Sequence, residues 1–332
     1  MIYLVKAMIS ELDVKIIERS SELPPLQCND FFHSTEMFCI VEKTSGMQPF
    51  MVIATKEGLV VAHMLATLRR RGALIPPYIF TQGHVYGEGE YVSEENKEEI
   101  FGKMLEAITQ RLKKKLCLYI EFSFLSQKMF GYRVFRKNNY FPVHWMEIHN
   151  SLHSKNPEER LSKKMKERIE AIKEAHLCFQ EVENDKEFQA FYKMLRRFFS
   201  LKIRRYLPPA LLFYELNKSN HALLFITRHN ETIIGACACI YYKNNAHLWY
   251  IASKRKSHPK LHPTTATVWG AINHAHQNGC RHIYFMDIGL PYRKNPYREF
   301  ILRFGGKEVS TYRWFCFSIQ WLNRLIGWFF RE

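Results

Sequence analysis

Two kinds of apolar pattern alternate along the 332 residues of the chain. Short apolar runs bounded by turn formers predict strands, and apolar residues three and four apart predict helices. Residues 50–54 and 59–62, separated by Lys56-Glu57-Gly58, predict an antiparallel hairpin with a glycine-containing turn. The run continues through Leu65 and Leu68 into Arg69-Arg70-Arg71-Gly72, and a turn-rich stretch extends from Pro76-Pro77 to Gly87-Glu88-Gly89. Residues 94–115 then carry Ile100, Met104, Leu105, Ile108 and Leu112 at helical spacing. Ser93 is the expected N-cap, with acids in the first turn and Lys113-Lys114-Lys115 in the last, as the helix dipole favours. A buried strand over 116–122 follows.

The second half repeats this order after a polar joint at 149–157. A basic helix with Leu161, Met165, Ile169 and Ile172 on one face leads to a strand near 177–182. Asn184 and Glu187 fit a capping box opening the next helix. Strands are expected at 222–227, 232–242 and 246–253, then a helix from Thr264 closed by Gly279, a strand over 282–287, and a last strand at 309–317. The repeat suggests a duplicated α/β domain, divided at 1–153 and 154–318, with a separate tail at 319–332.

Composition narrows the class. With 47% hydrophobic residues, 25 Phe and 17 Tyr, the chain has material for real cores and is not a disordered basic protein. Lys6, Glu11, Asp13 and Lys15 interrupt the first twenty residues, so no signal peptide is expected, and no 18-residue apolar window predicts a membrane span. The eight cysteines are scattered, with Cys39, Cys117, Cys237 and Cys239 inside strand-like runs. They read as reduced core thiols of a cytoplasmic protein. With no CxxC and no HExxH, no metal site is expected. His274 and His276, two apart on a helix, do not share a face, and Cys237 and Cys239 lack the partners of a nucleophile.

Charge changes the picture more. The net +16 is almost wholly C-terminal: residues 1–150 hold 18 basic and 17 acidic side chains, a balance of +1, and 151–332 hold 30 and 15, a balance of +15. Such asymmetry points to a polyanionic partner.

Four segments occur in a fixed order: Leu248-Trp-Tyr-Ile-Ala-Ser253, a helix ending His276-Gln-Asn-Gly279, Tyr284-Phe-Met-Asp287-Ile-Gly289, and Phe300-Ile-Leu-Arg-Phe304-Gly305-Gly306. Together they resemble the C-terminal domain of the FemAB-like branch of the GNAT acyltransferase superfamily, over most of 155–317. Phe31-Phe-His-Ser34 and the hairpin carry a weaker resemblance in the first half. The resemblance implies an α/β (α+β) protein of two tandem GNAT-like domains, each a mixed, mostly antiparallel twisted sheet flanked by helices. It implies transfer of an aminoacyl group from aminoacyl-tRNA to an amine of a peptidoglycan precursor, with relatives using other acyl donors. Two departures stand out. The family's lysine before its Phe-Gly pair is replaced by Ile301, leaving Arg298 and Arg303 as the nearby cations, and residues 155–176 suffice for one helix rather than the family's coiled-coil arm.

Such chemistry needs a held donor, a deprotonated amine and donors facing the developing oxyanion. The glycine-rich pyrophosphate turn of coenzyme A enzymes is not evident. Arg70-Arg71-Gly72-Ala73 lacks its spacing and 85–89 lacks the basic residue. In its place stands a loop over 254–263 carrying Lys254, Arg255, Lys256 and Lys260, which reads either as a contact for tRNA or a phosphorylated sugar lipid, or as a solvated surface loop. Asp287, at the end of its strand, is the candidate base or amine-orienting group, or else a turn residue. Tyr250 is its catalytic companion and Trp249 a candidate substrate contact. Adjacent on one strand, they are expected to face opposite sides, one in the core and the other lining the cleft, and the sequence does not say which. Arg293, Arg298, Phe300 and Arg303 complete the candidate substrate-binding loop, with Tyr292 and Tyr297 interleaved. Arg204 and Arg205 belong to an acid-free cluster over 196–205 beside Phe198, Phe199 and Tyr206.

On a helical tail, Gln320, Arg324, Gly327 and Arg331 form one stripe, and nearly everything else is apolar: Trp321, Leu322, Leu325, Ile326, Trp328, Phe329 and Phe330. The tail reads either as an interfacial helix at the inner face of a membrane or as a helix docked on the first domain or a second subunit. Three functions remain open: an aminoacyltransferase, an acyl-CoA-dependent N-acetyltransferase, and a binding module that keeps the fold without catalysis.

Overall fold

The computed structural model describes residues 12–72, 79–200 and 206–330, apart from the side chain of Asp287. The chain divides into two compact units. One comprises Met1–Val143 with Thr311–Glu332, and the other His144–Ser310.

In the first unit, β1 (Asp13–Ile17), α1 (Thr35–Lys43), β2 (Met47–Lys56), β3 (Leu59–Gly72), β4 (Ile79–Tyr86), β5 (Glu90–Tyr91), α2 (Lys97–Lys114), β6 (Tyr119–Ser123) and α3 (Tyr132–Lys137) follow in order, and β7 (Phe141–Ser151) leads into the second. There α4 (Lys163–Glu174), β8 (Cys178–Glu181), α5 (Asp185–Phe199), α6 (Ala210–Leu216), β9 (Ala222–His229), β10 (Thr232–Tyr242), β11 (Asn245–Ser253), α7 (Pro263–Gln277), β12 (His282–Gly289) and α8 (Pro296–Leu302) follow. The chain then returns to the first unit through β13 (Lys307–Phe317) and α9 (Gln320–Phe329).

The strand orders are the same in both units. The first runs β1-β2-β3-β4-β6-β13 and the second β8-β9-β10-β11-β12-β7. Each is antiparallel except at one seam, β4 beside β6 and β11 beside β12, where the pairing is parallel. Each unit also takes its sixth strand from the other half of the sequence. The last strand, expected in the second domain, instead pairs antiparallel with β6, Trp314 opposite Phe122 and Phe317 opposite Tyr119. A strand pattern at 309–317 carries no record of its partner, which is why the sequence alone misplaces it.

Local chemistry accounts for the elements. Lys56 pairs with Leu59 across Glu57 and Gly58, both at positive φ (55° and 80°), the turn whose twist suits a two-residue hairpin. The Asn184 side chain accepts from the Glu187 amide at 3.0 Å as the capping box requires. The Glu187 carboxylate reaches the Glu183 amide and Arg228 rather than the cap's own amide. Gly279 closes the segment after α7 at φ +71°. Other expectations shift. The first long helix starts at Lys97 rather than 94, because Ser93 accepts from the Glu95 amide in a turn ahead of it. The stretch read as turns contains β4, whose alternate residues Gln82 and His84 are polar yet buried. Cys39 lies half-buried on α1, capped by Ser34, rather than on a strand. Residues 73–78, with Ala73 and Pro76-Pro77, lie outside the described residues.

The first core joins Phe101, Met104, Leu105 and Ile108 of α2 to Phe50, Val52, Met64, Phe122 and Trp314. The second joins Val268, Trp269 and Ile272 of α7 to Cys237, Cys239, Leu248, Ile251 and Phe285. These placements make Cys237 and Cys239 core thiols. Burial pushes the Cys237 thiol well up, with Cys239 adding to the effect.

Candidate functional site: the parallel seam of the second unit

The regular sheet breaks at one level of the second unit. Parallel pairing of β11 with β12 runs from Asn245/His282 to Leu248/Phe285 and ends there. At the next residue β11 carries a bulge: Ala238 faces Tyr250 while Cys239 faces Leu248, so Trp249 is the extra residue. On β12, Phe285 pairs with Ile148 but Gly289 with Met146, so Met286, Asp287 and Ile288 stand opposite Glu147 alone. Two irregularities thus flank the point where the strands part. Strand ends at such a change of sheet direction are where open α/β folds place ligands.

The bulge also overturns the expected alternation of Trp249 and Tyr250. Both rings face Phe213 of α6, at centroid distances of 6.5 and 5.3 Å, and both are buried. An extra residue in a strand resets the two-residue period, which only a regular strand obeys. The Tyr250 hydroxyl donates to the Tyr206 carbonyl at 2.8 Å, so its proton holds the segment after α5 against β11.

The far end of β11 meets the start of α7. One of the Ser253 and Thr264 hydroxyls donates to the other at 2.6 Å. Thr267 donates to the Pro263 carbonyl at 2.8 Å and lies 2.8 Å from the Thr227 hydroxyl. A Cβ on Gly235 would fall 2.0 Å from Thr267 Oγ1, so only glycine allows the α7 terminus this close to β10. Pro263 occupies the first turn, where its missing N–H costs nothing. The cationic loop joins these two elements. Its Lys254 is half-buried, with the Lys254 amide donating to the Ile234 carbonyl at 2.8 Å, and Arg255, Lys256 and Lys260 are exposed. His262, at the helix entrance, is held below its usual range by burial and by the nearby Arg168 cation.

The other candidates separate into exposed and structural groups. Arg293 is exposed. Arg298 is engaged in the fold: its guanidinium donates to the carbonyls of Leu290, Pro291 and Arg293 at 2.9, 3.3 and 3.1 Å and pairs with Glu308 at 3.3 Å. Five donors on a planar fork suit such loop-tying, which sequence cannot distinguish from phosphate binding. Phe300 is half-buried against Phe304, and Arg303 is exposed. Ile301 is fully buried in the core, so at the position of the expected lysine an ammonium group would have to be desolvated. Asp287 sits on β12 within the irregular segment, its side chain outside the description. Arg204 and Arg205 lie outside the described residues.

Sequence reasoning missed a buried polar network in the first unit. Arg69 Nε and Arg71 Nη1 donate to Gln82 Oε1 at 3.1 and 3.0 Å, and Gln82 Nε2 donates to Glu121 at 2.6 Å. Arg313 pairs with Glu121 at 3.0 Å, and Ser123 lies 3.2 Å from His84 Nε2. Burial, then the Arg69, Arg313 and Arg71 cations, push His84 well down, so it is neutral. The available signal was the i, i+2 spacing of Arg69/Arg71, Gln82/His84 and Glu121/Ser123, which aligns polar residues on one sheet face. A second convergence in this unit brings together Cys28, His63 and Glu90.

Residues 160–294 match the family described as the acetyltransferase (GNAT) domain. No curated protein matches the chain. Solved structures share its fold. FemX aligns with a TM-score of 0.61 and 10% identity, over 90% of this chain and 94% of that one. A tandem GNAT protein from the clavulanic acid biosynthesis pathway aligns at 0.56 and 9%, over 92% and 99%. L-PGS from Bacillus licheniformis aligns at 0.53 and 12%, over 80% and 87%. The expected fold therefore stands: a mixed α/β chain with the tandem architecture of these structures, whose residues 160–294 match the GNAT domain model.

Proposed function

We propose that this chain, with its tandem GNAT fold, is an N-acyltransferase that moves an acyl group, most simply an aminoacyl group, from an activated donor to an amine. The observation that carries the reading is the Trp249 bulge at the point where β11 parts from β12. A bulge turns backbone amides out of the ladder, and preorganised N–H groups at such a place can meet the oxyanion that forms when an amine adds to an acyl carbonyl. The amine then forms the new C–N bond, its proton passes to a base, and the bond to the donor's oxygen or sulfur breaks. Asp287, by its position on β12 beside that parting, is the proposed base. Tyr250 is proposed to position the segment at Tyr206 rather than to exchange protons.

The donor reading favours aminoacyl-tRNA. The loop between β11 and α7 offers side-chain cations and no glycine nest, and the α7 N-terminus behind it adds its dipole. Lys254, Arg255 and Arg293 are the proposed contacts for donor or acceptor phosphates, with Arg204 and Arg205 nearby in sequence to Tyr206. The FemAB-like resemblance of 155–317 is what suggests a phosphorylated, lipid- or nucleotide-linked acceptor. A second reading, transfer from acyl-CoA, is favoured by the acetyltransferase description of the matched domain.

No helix among the described residues is long and apolar enough to cross a membrane. The tail helix α9 is docked on its own unit: Asn323 donates to the Asn139 carbonyl at 2.8 Å, and Phe330 stacks on Phe141. Gly327, expected on the polar stripe, faces Phe141, while Trp321, Leu325, Trp328 and Phe329 remain exposed around Arg324. We propose that this face rests on an anionic membrane surface carrying the acceptor. Incubation with tRNA charged with a labelled amino acid and with a UDP-linked muropeptide tests the reaction. Label is expected to reach the muropeptide amine in wild type and to fall at least tenfold in Asp287→Asn; label transferred only from acetyl-CoA would replace the tRNA reading.

A further inference from the structure

We propose that the first unit holds a divalent transition-metal site, with zinc as its fitting ion, built from Cys28 Sγ, His63 Nε2 and a Glu90 carboxylate oxygen. The three donor atoms lie within 4.8 Å of one another. Cys28 Sγ stands 3.5 Å from His63 Nε2, and His63 Nε2 stands 3.7 Å from Glu90 Oε2. Tetrahedral coordination with Zn–S of about 2.3 Å and Zn–N or Zn–O of about 2.0–2.1 Å puts neighbouring ligand atoms about 3.4–3.6 Å apart. The two spacings at His63 Nε2 need only a few tenths of an ångström of adjustment. The Cys28–Glu90 pair, within 4.8 Å, closes by at most about 1.2 Å on binding.

The surroundings hold this arrangement in place. Glu90 is the direct cross-strand partner of His63 in the pairing of β5 with β3. Gly89, at φ +100°, lets the chain press there, since a Cβ would fall 2.6 Å from the His63 carbonyl oxygen. The Asn29 amide donates to Glu90 Oε2 at 2.8 Å, orienting the carboxylate from the residue next to Cys28. His63 is buried, and Cys28 and Glu90 are half-buried, so the donors are shielded but reachable. A cross-strand His–Glu contact is common and needs no metal. A thiol from a third segment, within ligand distance of the same imidazole nitrogen, is what such a contact does not require.

The charge balances on binding. The ion takes the Cys28 thiolate, releasing one proton to solvent, together with the Glu90 carboxylate and the neutral His63 ring, giving a site of zero net charge. The mixed sulfur, nitrogen and oxygen set suits zinc over magnesium or calcium. Three protein ligands leave the fourth position to water. Spacing in the sequence could not show the site, because its ligands stand at 28, 63 and 90, on a loop and two strands.

Metal analysis and cobalt substitution of the full chain test the assignment. Purified wild type is expected to retain one zinc per chain after gel filtration. After stripping by a chelator, cobalt(II) is expected to give a near-ultraviolet thiolate-to-cobalt band that saturates at one equivalent. Cys28→Ser abolishes the band and Glu90→Gln weakens cobalt binding at least tenfold, while Cys178→Ser, at an exposed thiol of the second unit, leaves both intact. Far-ultraviolet circular dichroism checks that each variant is folded. Wild type that binds no stoichiometric metal, or a cobalt spectrum unchanged in folded Cys28→Ser, overturns the proposal.

Discussion

Glu121 and Arg313, 192 positions apart in sequence, form an ion pair of 3.0 Å in which each side chain is only 9% exposed. One lies on β6 and the other on β13, so the pair binds the returning C-terminal strand to the first unit. A buried carboxylate left without its guanidinium keeps its desolvation cost. Arg313→Met is therefore expected to lower unfolding stability by about 3–5 kcal/mol in urea titration. Adding Glu121→Gln to it should recover much of the loss, because the uncompensated charge is then gone. A loss below about 1 kcal/mol in the single variant would contradict the assigned role.

His247 is the clearest source of acid sensitivity. Its ring is stacked between Tyr242 and Tyr284 at 4.5 and 4.9 Å, and burial pushes it down to about 3. A histidine neutral when folded but ordinary when unfolded contributes fully above the unfolded value of about 6.5, and that contribution is lost as pH falls toward the folded value. Stability should thus fall below pH 6.5 with a slope approaching about 1.4 kcal/mol per pH unit from this group, or about 2 kcal/mol by pH 5. His84, also pushed down, acts in the same direction. Chemical unfolding at pH 7.5 and 5 should show a smaller drop in His247→Phe than in wild type; an equal drop would exclude His247 as a source.

Tyr250 separates a positioning role from a catalytic one. Its hydroxyl donates to the Tyr206 carbonyl, so Tyr250→Phe should cost about 1 kcal/mol of stability. Transfer should keep its pH profile, with any loss appearing in KM through the segment at Tyr206. Collapse of kcat with unchanged stability would instead make Tyr250 a proton donor.

The α9 face gives a further test. Sedimentation with anionic vesicles should fall at least tenfold in Trp321→Ser/Trp328→Ser, whose residues are 67% and 60% exposed and so leave the docked stripe intact. Binding that is unchanged in this variant would remove the membrane from the account.

What the sequence shows and hides follows from range. The Glu57-Gly58 turn, the Asn184 cap and the Gly279 stop are local devices, and each stands where the pattern puts it. The pairing of β13 with β6 and the meeting of Cys28, His63 and Glu90 depend on contacts far apart in the chain, which no window of residues contains. The Trp249 bulge lies between these cases: its residues carry part of the family resemblance, but a register shift is a property of two strands and reverses the expected side of one ring. Arg298 shows the same limit, since a cation in a polar loop reads alike whether it holds phosphate or its own backbone.

Acyl transfer at the seam of the second unit, with a donor held by side-chain cations, predicts melting shifts that discriminate between donors. A tight ligand raises the melting temperature by mass action. Wild type is expected to be stabilised by a non-hydrolysable aminoacyl-tRNA analogue and not by acetyl-CoA at the same concentration, and Lys254→Glu/Arg255→Glu should abolish the shift. Stabilisation by acetyl-CoA alone, or a tRNA shift that survives the charge reversal, would contradict it.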